Sequence, residues 1–152
     1  MEKPPRGLIY YLTADQDFIK PDVGNDQVWE LSTGNNSPRA LSISTSYGLR
    51  AKRMLLFPRF ALGDTFVLDP DEYHSFPVVE FSSTNFLTLS FKTYLSLDAL
   101  LRVWVPDSQA ICGQICLTNS GEKTLSIGLD WLCLLTPFPD GTPMNPVQMG
   151  IN

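Results

Sequence analysis

Histidine is almost absent from this chain, which has one, at position 74, and cysteine is scarce, with three. A single imidazole excludes sites that need several. A catalytic zinc takes three protein ligands, usually with more than one His, and any His-based triad would have to be built on His74. The cysteines do not staple the fold: Cys112 and Cys116 lie four positions apart on one predicted strand, about 13 Å at ~3.3 Å per residue and beyond disulfide reach. Charge is also low, at 18% of residues with a net charge of −5. The chain therefore lacks the positive field that a general nucleic-acid or anionic-membrane binder uses. No apolar run approaches the roughly 20 residues that span a bilayer. Met1-Glu2-Lys3-Pro4-Pro5-Arg6 lacks the charged, apolar, small-residue order of a secretory signal. The expectation is a cytoplasmic protein with no membrane or nucleic-acid partner and no cofactor. There is no glycine-rich phosphate loop and no Gly-x-Ser-x-Gly elbow.

Uninterrupted helical windows are missing as well, because twelve prolines and ten glycines are spread through the sequence. What remains is 43% hydrophobic over 152 residues, enough for one core without metals or disulfides. Val, Ile, Tyr, Phe, Trp and Thr fill the short segments between breakers. Residues 7–12 form a compact apolar run that suits an outer strand. Gln27-Val28-Trp29-Glu30-Leu31 follows a turn-rich stretch, and Ala40–Tyr47 places Leu41, Ile43 and Tyr47 on one side. Residues 54–60 contain Pro58, which cannot donate to a central ladder and so predicts an edge strand or a strand end. Phe66–Leu68 and Pro77–Phe81 flank the acidic connection Asp69–His74. Asn85–Tyr94 sets Leu87, Leu89 and Phe91 against Phe86, Thr88, Ser90 and Lys92 on the other face, and Leu100–Val105 stops at Pro106. About nine or ten short strands at this spacing predict an all-β antiparallel sandwich with little helix, in one domain covering 1–152.

The clearest alternation runs from Ala110 to Leu135. Ile111, Ile115 and Leu117, then Leu125, Ile127, Leu129, Trp131 and Cys133, alternate with polar residues on either side of the turn-forming Asn119-Ser120-Gly121-Glu122-Lys123. This predicts a hairpin with Leu117 opposite Leu125, Ile115 opposite Ile127 and Ile111 opposite Trp131, all on the core face. Cys133 falls on the opposite face of the hairpin from the other two cysteines. Leu132 and Leu134 make the end of the second strand apolar on both sides, so a second layer has to cover them.

Candidate functional residues are few. His74 sits beside Asp69, Asp71 and Glu72, the one place where acid–base side chains gather, but the set matches neither zinc nor calcium spacing; a solvated turn fits it better than an enzyme site built on His74 and Asp71. No catalytic residue and no metal ligand is assigned. Between Glu30 and Asp64 there is no acidic residue, whereas Arg39, Arg50, Lys52, Arg53 and Arg59 all occur. Those five cations read either as a solvated strand face or as a docking surface for an acidic partner. Among aromatic side chains, Trp29, Trp104 and Tyr73 fall near predicted loops and could stack on a sugar ring, with burial in the core as the alternative. Trp131 is assigned to the core.

Several strings together resemble a known family. Asp26-Gln27-Val28-Trp29-Glu30-Leu31, Ser46-Tyr47-Gly48-Leu49-Arg50, Leu56-Phe57-Pro58-Arg59-Phe60, Val103-Trp104-Val105-Pro106-Asp107-Ser108 and Leu134-Leu135-Thr136-Pro137 are similar to the N-terminal β-sandwich of bacterial glycogen-debranching, amylo-alpha-1,6-glucosidase-like glycoside hydrolases. The similarity spans residues 20–150. It implies a non-catalytic accessory sandwich that packs against a downstream (α/α)6-barrel catalytic domain of the same protein. The barrel and its two catalytic carboxylates lie outside these residues, so no catalytic role carries over. The apolar run Val147-Gln148-Met149-Gly150-Ile151 suits one domain of a longer protein. The alternative expectation is an independent carbohydrate-binding module with an oligosaccharide as its partner.

Overall fold

The computed structural model describes residues 7–14, 28–45, 51–107 and 110–137, with the backbone alone for 51–53, 136 and 137. It is an all-β sandwich of two antiparallel sheets. The strands are β1 (Ile9–Leu12), β2 (Trp29–Thr33), β3 (Leu41–Thr45), β4 (Ala51–Leu62), β5 (Thr65–Val67), β6 (Ser75–Ser82), β7 (Phe86–Tyr94), β8 (Leu97–Asp107), β9 (Ala110–Asn119) and β10 (Ile127–Pro137), with one 3-10 turn at Pro70–Glu72. One sheet runs β1-β2-β3-β4-β10 with β5 also paired to β4, and the other runs β6-β7-β8-β9.

Alternation explains the core. Leu87, Leu89 and Phe91 of β7 and Ala99, Leu101, Val103 and Val105 of β8 point inward from the four-stranded sheet. They meet Leu12, Trp29, Leu31, Leu41, Ile43 and Phe60 from the six-stranded one. Phe60 is fully buried at the centre, edge-on to Tyr73 and to Phe91 with ring centroids 6.0 Å apart in each case. Tyr73 itself stacks on Phe91 at 5.3 Å. Such ring pairs add about 0.5–1.5 kcal/mol each beyond the area they bury.

Three expectations need correction. The first concerns Pro58, which neither ends its strand nor lies on an edge, for β4 continues to Leu62 in the interior of its sheet. Pro58 is tolerated because it has a register partner on one side alone, Trp131 of β10. On the other side β3 pairs with Leu55 and Leu56, β5 resumes at Phe60, and Pro58 lies in the gap between the two ladders.

The second correction is larger. Ala110–Leu135 is no hairpin. β9 pairs with β8, setting Ile115 against Leu101 and Leu117 against Ala99, while β10 pairs with β4 in the opposite sheet, setting Trp131 against Pro58 and Ile127 against Leu62. The turn residues between them carry the chain from sheet to sheet. Ser120 N–H donates to the Ser96 carbonyl at 2.9 Å, Asn119 Nδ2 donates to the Lys123 carbonyl at 2.8 Å, and Gly121 N–H donates to Asn119 Oδ1 at 3.0 Å. A strand needs the same in-and-out alternation whether its neighbour lies beside it or across the core, so periodicity does not separate a hairpin from a crossover.

The third concerns Trp131. It does face the space between the sheets, with Leu31, Ile43, Leu56 and Leu101, yet 45% of its surface remains exposed. Leu132 and Leu134 turn the other way, opposite Phe57 and Leu55 of β4, and are covered from within the chain by Ala40 and Leu68 in a small second cluster. The second layer that the sequence calls for is thus made by this domain's own loops.

Candidate functional site

The two sheets differ in their outer faces. On the six-stranded sheet, Arg59 pairs with Asp130 at 2.6 Å directly across β4 and β10, and its guanidinium also lies 5.4 Å from the Phe66 ring centroid. Arg39 holds Asp69 at 3.4 Å and also pairs with Asp71, while Asp69 Oδ1 accepts from Asp71 N–H at 2.9 Å to cap the 3-10 turn. The acidic turn is therefore a capping and ion-pairing device whose Asp69 and Asp71 carboxylates are engaged by Arg39, with His74 exposed beside it. Of the five cations singled out above, Arg39 and Arg59 are thus paired with carboxylates. Lys52 and Arg53 lie on β4 with their side chains outside the described set, and Arg50 lies outside the described residues.

Two of the proposed stacking rings are unavailable. Trp29 and Tyr73 are buried in the core, at 7% and 6% exposure. The apolar neighbours inside a sandwich leave the Trp29 Nε1 donor without a partner among the described residues. Burial drives the Tyr73 phenol well above its usual pKa, with the Asp69 carboxylate adding to the shift.

Trp104 is different. It projects from β8 on the outer face of the four-stranded sheet, half-buried, with Phe86 opposite it on β7 and Cys112 opposite it on β9. Phe81 of the edge strand β6 extends the row, its ring edge-on to Phe86 at 5.8 Å and 55% exposed. One step along the strands, Arg102 faces Gln114, and Arg102 Nη1 donates to Gln114 Oε1 at 3.2 Å. A wide cleft of about 470 Å³ lies over these groups, lined by Asn85, Phe86, Arg102, Trp104, Pro106 and Gln114 among others. Further along the same face Lys92 pairs with Asp98 at 2.9 Å beside a second hollow of about 280 Å³. The Lys92 ammonium, followed by the Ser120 hydroxyl, holds the Asp98 carboxyl below its usual range.

In the sequence Trp104 is one of three candidate stacking rings with core burial as the alternative, and Phe86 lies on the face of its strand opposite Leu87, Leu89 and Phe91; nothing there singles out Arg102 or Gln114. What no single strand carries is the register that sets Phe86, Trp104 and Cys112 in one row across three strands. Among the described residues no three His, Cys, Asp or Glu side chains cluster as a metal site would require, and no helix is long and apolar enough to cross a membrane. No protein-family model, curated protein or solved structure matches this chain.

Proposed function

We propose that this chain is a non-catalytic accessory β-sandwich domain of a carbohydrate-active, glycogen-debranching-like enzyme, packing against that enzyme's catalytic domain. One observation carries the packing role. On the side of the sandwich where β10 forms the edge of its sheet, side chains that face the space between the sheets are left open: Trp131 is 45% and Leu56 37% exposed, and Cys133 is exposed as well. A large ring on the inner face of a sheet is normally covered, and an open apolar strip of this kind marks an interaction surface. The resemblance of the Trp29, Trp104 and Leu134 strings supplies the nature of the partner, a helical barrel encoded downstream. With its charge low and its edge apolar, the domain suits a permanent contact within one protein better than a transient charged one.

Two measurements test this. Sequencing the gene past the codon for Asn152 is expected to read into a helical-barrel hydrolase domain, and a stop codon with no neighbouring hydrolase gene would sink the reading. In the longer protein, Cys133 is expected to resist alkylation that modifies it in the isolated chain, and equal reactivity in both would place the partner elsewhere.

A further inference from the structure

We infer that the Trp104 cleft on the outer face of the four-stranded sheet binds a pyranose ring of an oligosaccharide. The site goes beyond the packing role and is independent of it, since it lies on the outer face of one sheet whereas the Trp131 strip opens between the two.

Two chemistries meet in this one cleft. Trp104 and Phe86 supply adjacent aromatic surface, and Phe81 continues it toward the sheet edge. Beside the rings, Arg102 spends one donor on Gln114 and has no carboxylate partner among the described residues, in contrast to Arg39, Arg59 and Lys92. Asn85 Oδ1 accepts from Ser83 Oγ at 3.3 Å, and its Nδ2 donor is uncommitted among the described residues. An apolar ligand would strip water from the Arg102 guanidinium without replacing its hydrogen bonds, at a cost of kcal/mol order. A small inorganic anion would satisfy Arg102 but leave the rings uncovered. A pyranose does both, because its C–H faces are apolar and its rim is a ring of hydroxyls that accept from guanidinium and amide N–H groups. The cleft, at about 470 Å³, falls within the ~300–1,000 Å³ of small-ligand sites. The same face continues toward Lys92, six residues or roughly 20 Å along β7, which gives a chain of sugars room to lie along the sheet.

Maltohexaose and tri-galacturonate, titrated separately into the chain and followed by amide chemical shifts, test the site with a neutral and an acidic sugar. Saturable shifts confined to residues near 81–86, 102–106 and 112–114 are expected with at least one of them. Loss of that binding on raising the salt, seen with tri-galacturonate alone, would assign Arg102 to a uronate carboxylate. Trp104→Ala is expected to weaken binding about tenfold or more, Trp104→Phe about threefold and Arg102→Ala about tenfold, with Trp131→Ala unchanged. Because the wild-type shift map needs no variant, a misfolded Trp104→Ala leaves the proposal testable. It is overturned if neither sugar shifts any resonance at 10 mM, if the shifts map to the Trp131 side, or if a folded Trp104→Ala binds like the wild type.

Discussion

The Tyr94 hydroxyl, carried on the four-stranded sheet, donates to the Phe60 carbonyl of the six-stranded sheet at 3.1 Å, with the Thr65 carbonyl 3.3 Å away as a second acceptor. One side chain thereby links β7 to both β4 and β5. Tyr94→Phe keeps the ring and deletes the link, and a partly buried hydrogen bond of this kind contributes about 1 kcal/mol. Urea unfolding of the variant is expected to show a lower midpoint with an unchanged slope. An unchanged midpoint would mean that water replaces the bond at no cost.

The two tryptophans that face the sandwich interior, Trp29 and Trp131, differ in what they stabilise. Trp29→Ala empties a buried position and is expected to cost about 3–5 kcal/mol. Trp131 is half in solvent, so Trp131→Ala is expected to cost under about 1.5 kcal/mol in the isolated chain. Equal losses would mean that the open edge is covered in solution.

Thr93 carries a fully enclosed hydroxyl with no hydrogen-bond partner among the described residues. Thr93→Val replaces that hydroxyl by a methyl group of similar shape. Since an unsatisfied buried polar group costs about 1–3 kcal/mol, the variant is expected to be more stable by about 1 kcal/mol, read as a rise in thermal midpoint. A fall would show that the hydroxyl has a partner after all.

Tyr73 sets an alkaline limit. Its phenol titrates above the ordinary value of 10.0 in the folded chain, chiefly through burial. The unfolded chain therefore releases this proton first. Stability from this group is complete below pH ~10 and falls as pH rises above it, by about 1.4 kcal/mol per pH unit until the folded phenol ionises. Denaturant midpoints measured between pH 9 and 11 are expected to drop more steeply for the wild type than for Tyr73→Phe. Parallel curves would assign the alkaline loss to other groups.

Much of the fold was legible before any tertiary information. Leu87, Leu89 and Phe91 share one face in the sequence because alternation is a property of a single strand, and that face is the core. The paired behaviour of Leu41 and Ile43 followed in the same way. Of the candidate site, the sequence offers Trp104 as a ring either stacked or buried and sets Phe86 opposite the Leu87 face, but the row they form has no trace in it. Arg39 and Arg59 looked like a basic surface in sequence because their partners, Asp69, Asp71 and Asp130, are remote along the chain. Ion pairs between distant positions leave no local trace.

What the sequence by itself determined is the kind of element over most of the described residues, all-β with inward and outward faces, since breakers and period-two patterning act within a few residues. What only the tertiary structure decided is which strand neighbours which. The segment from Ala110 to Leu135 satisfies its alternation equally well as a hairpin or as a crossover, and the choice falls to long-range partners: β8 offers Leu101 and Ala99 to β9, and β4 offers Leu55 and Phe57 to Leu134 and Leu132. With the crossover made, Trp131 lies at the open edge and Leu132 and Leu134 gain a cover of their own, while the separate β7–β8 register sets Trp104 beside Phe86 on the outer face of the four-stranded sheet.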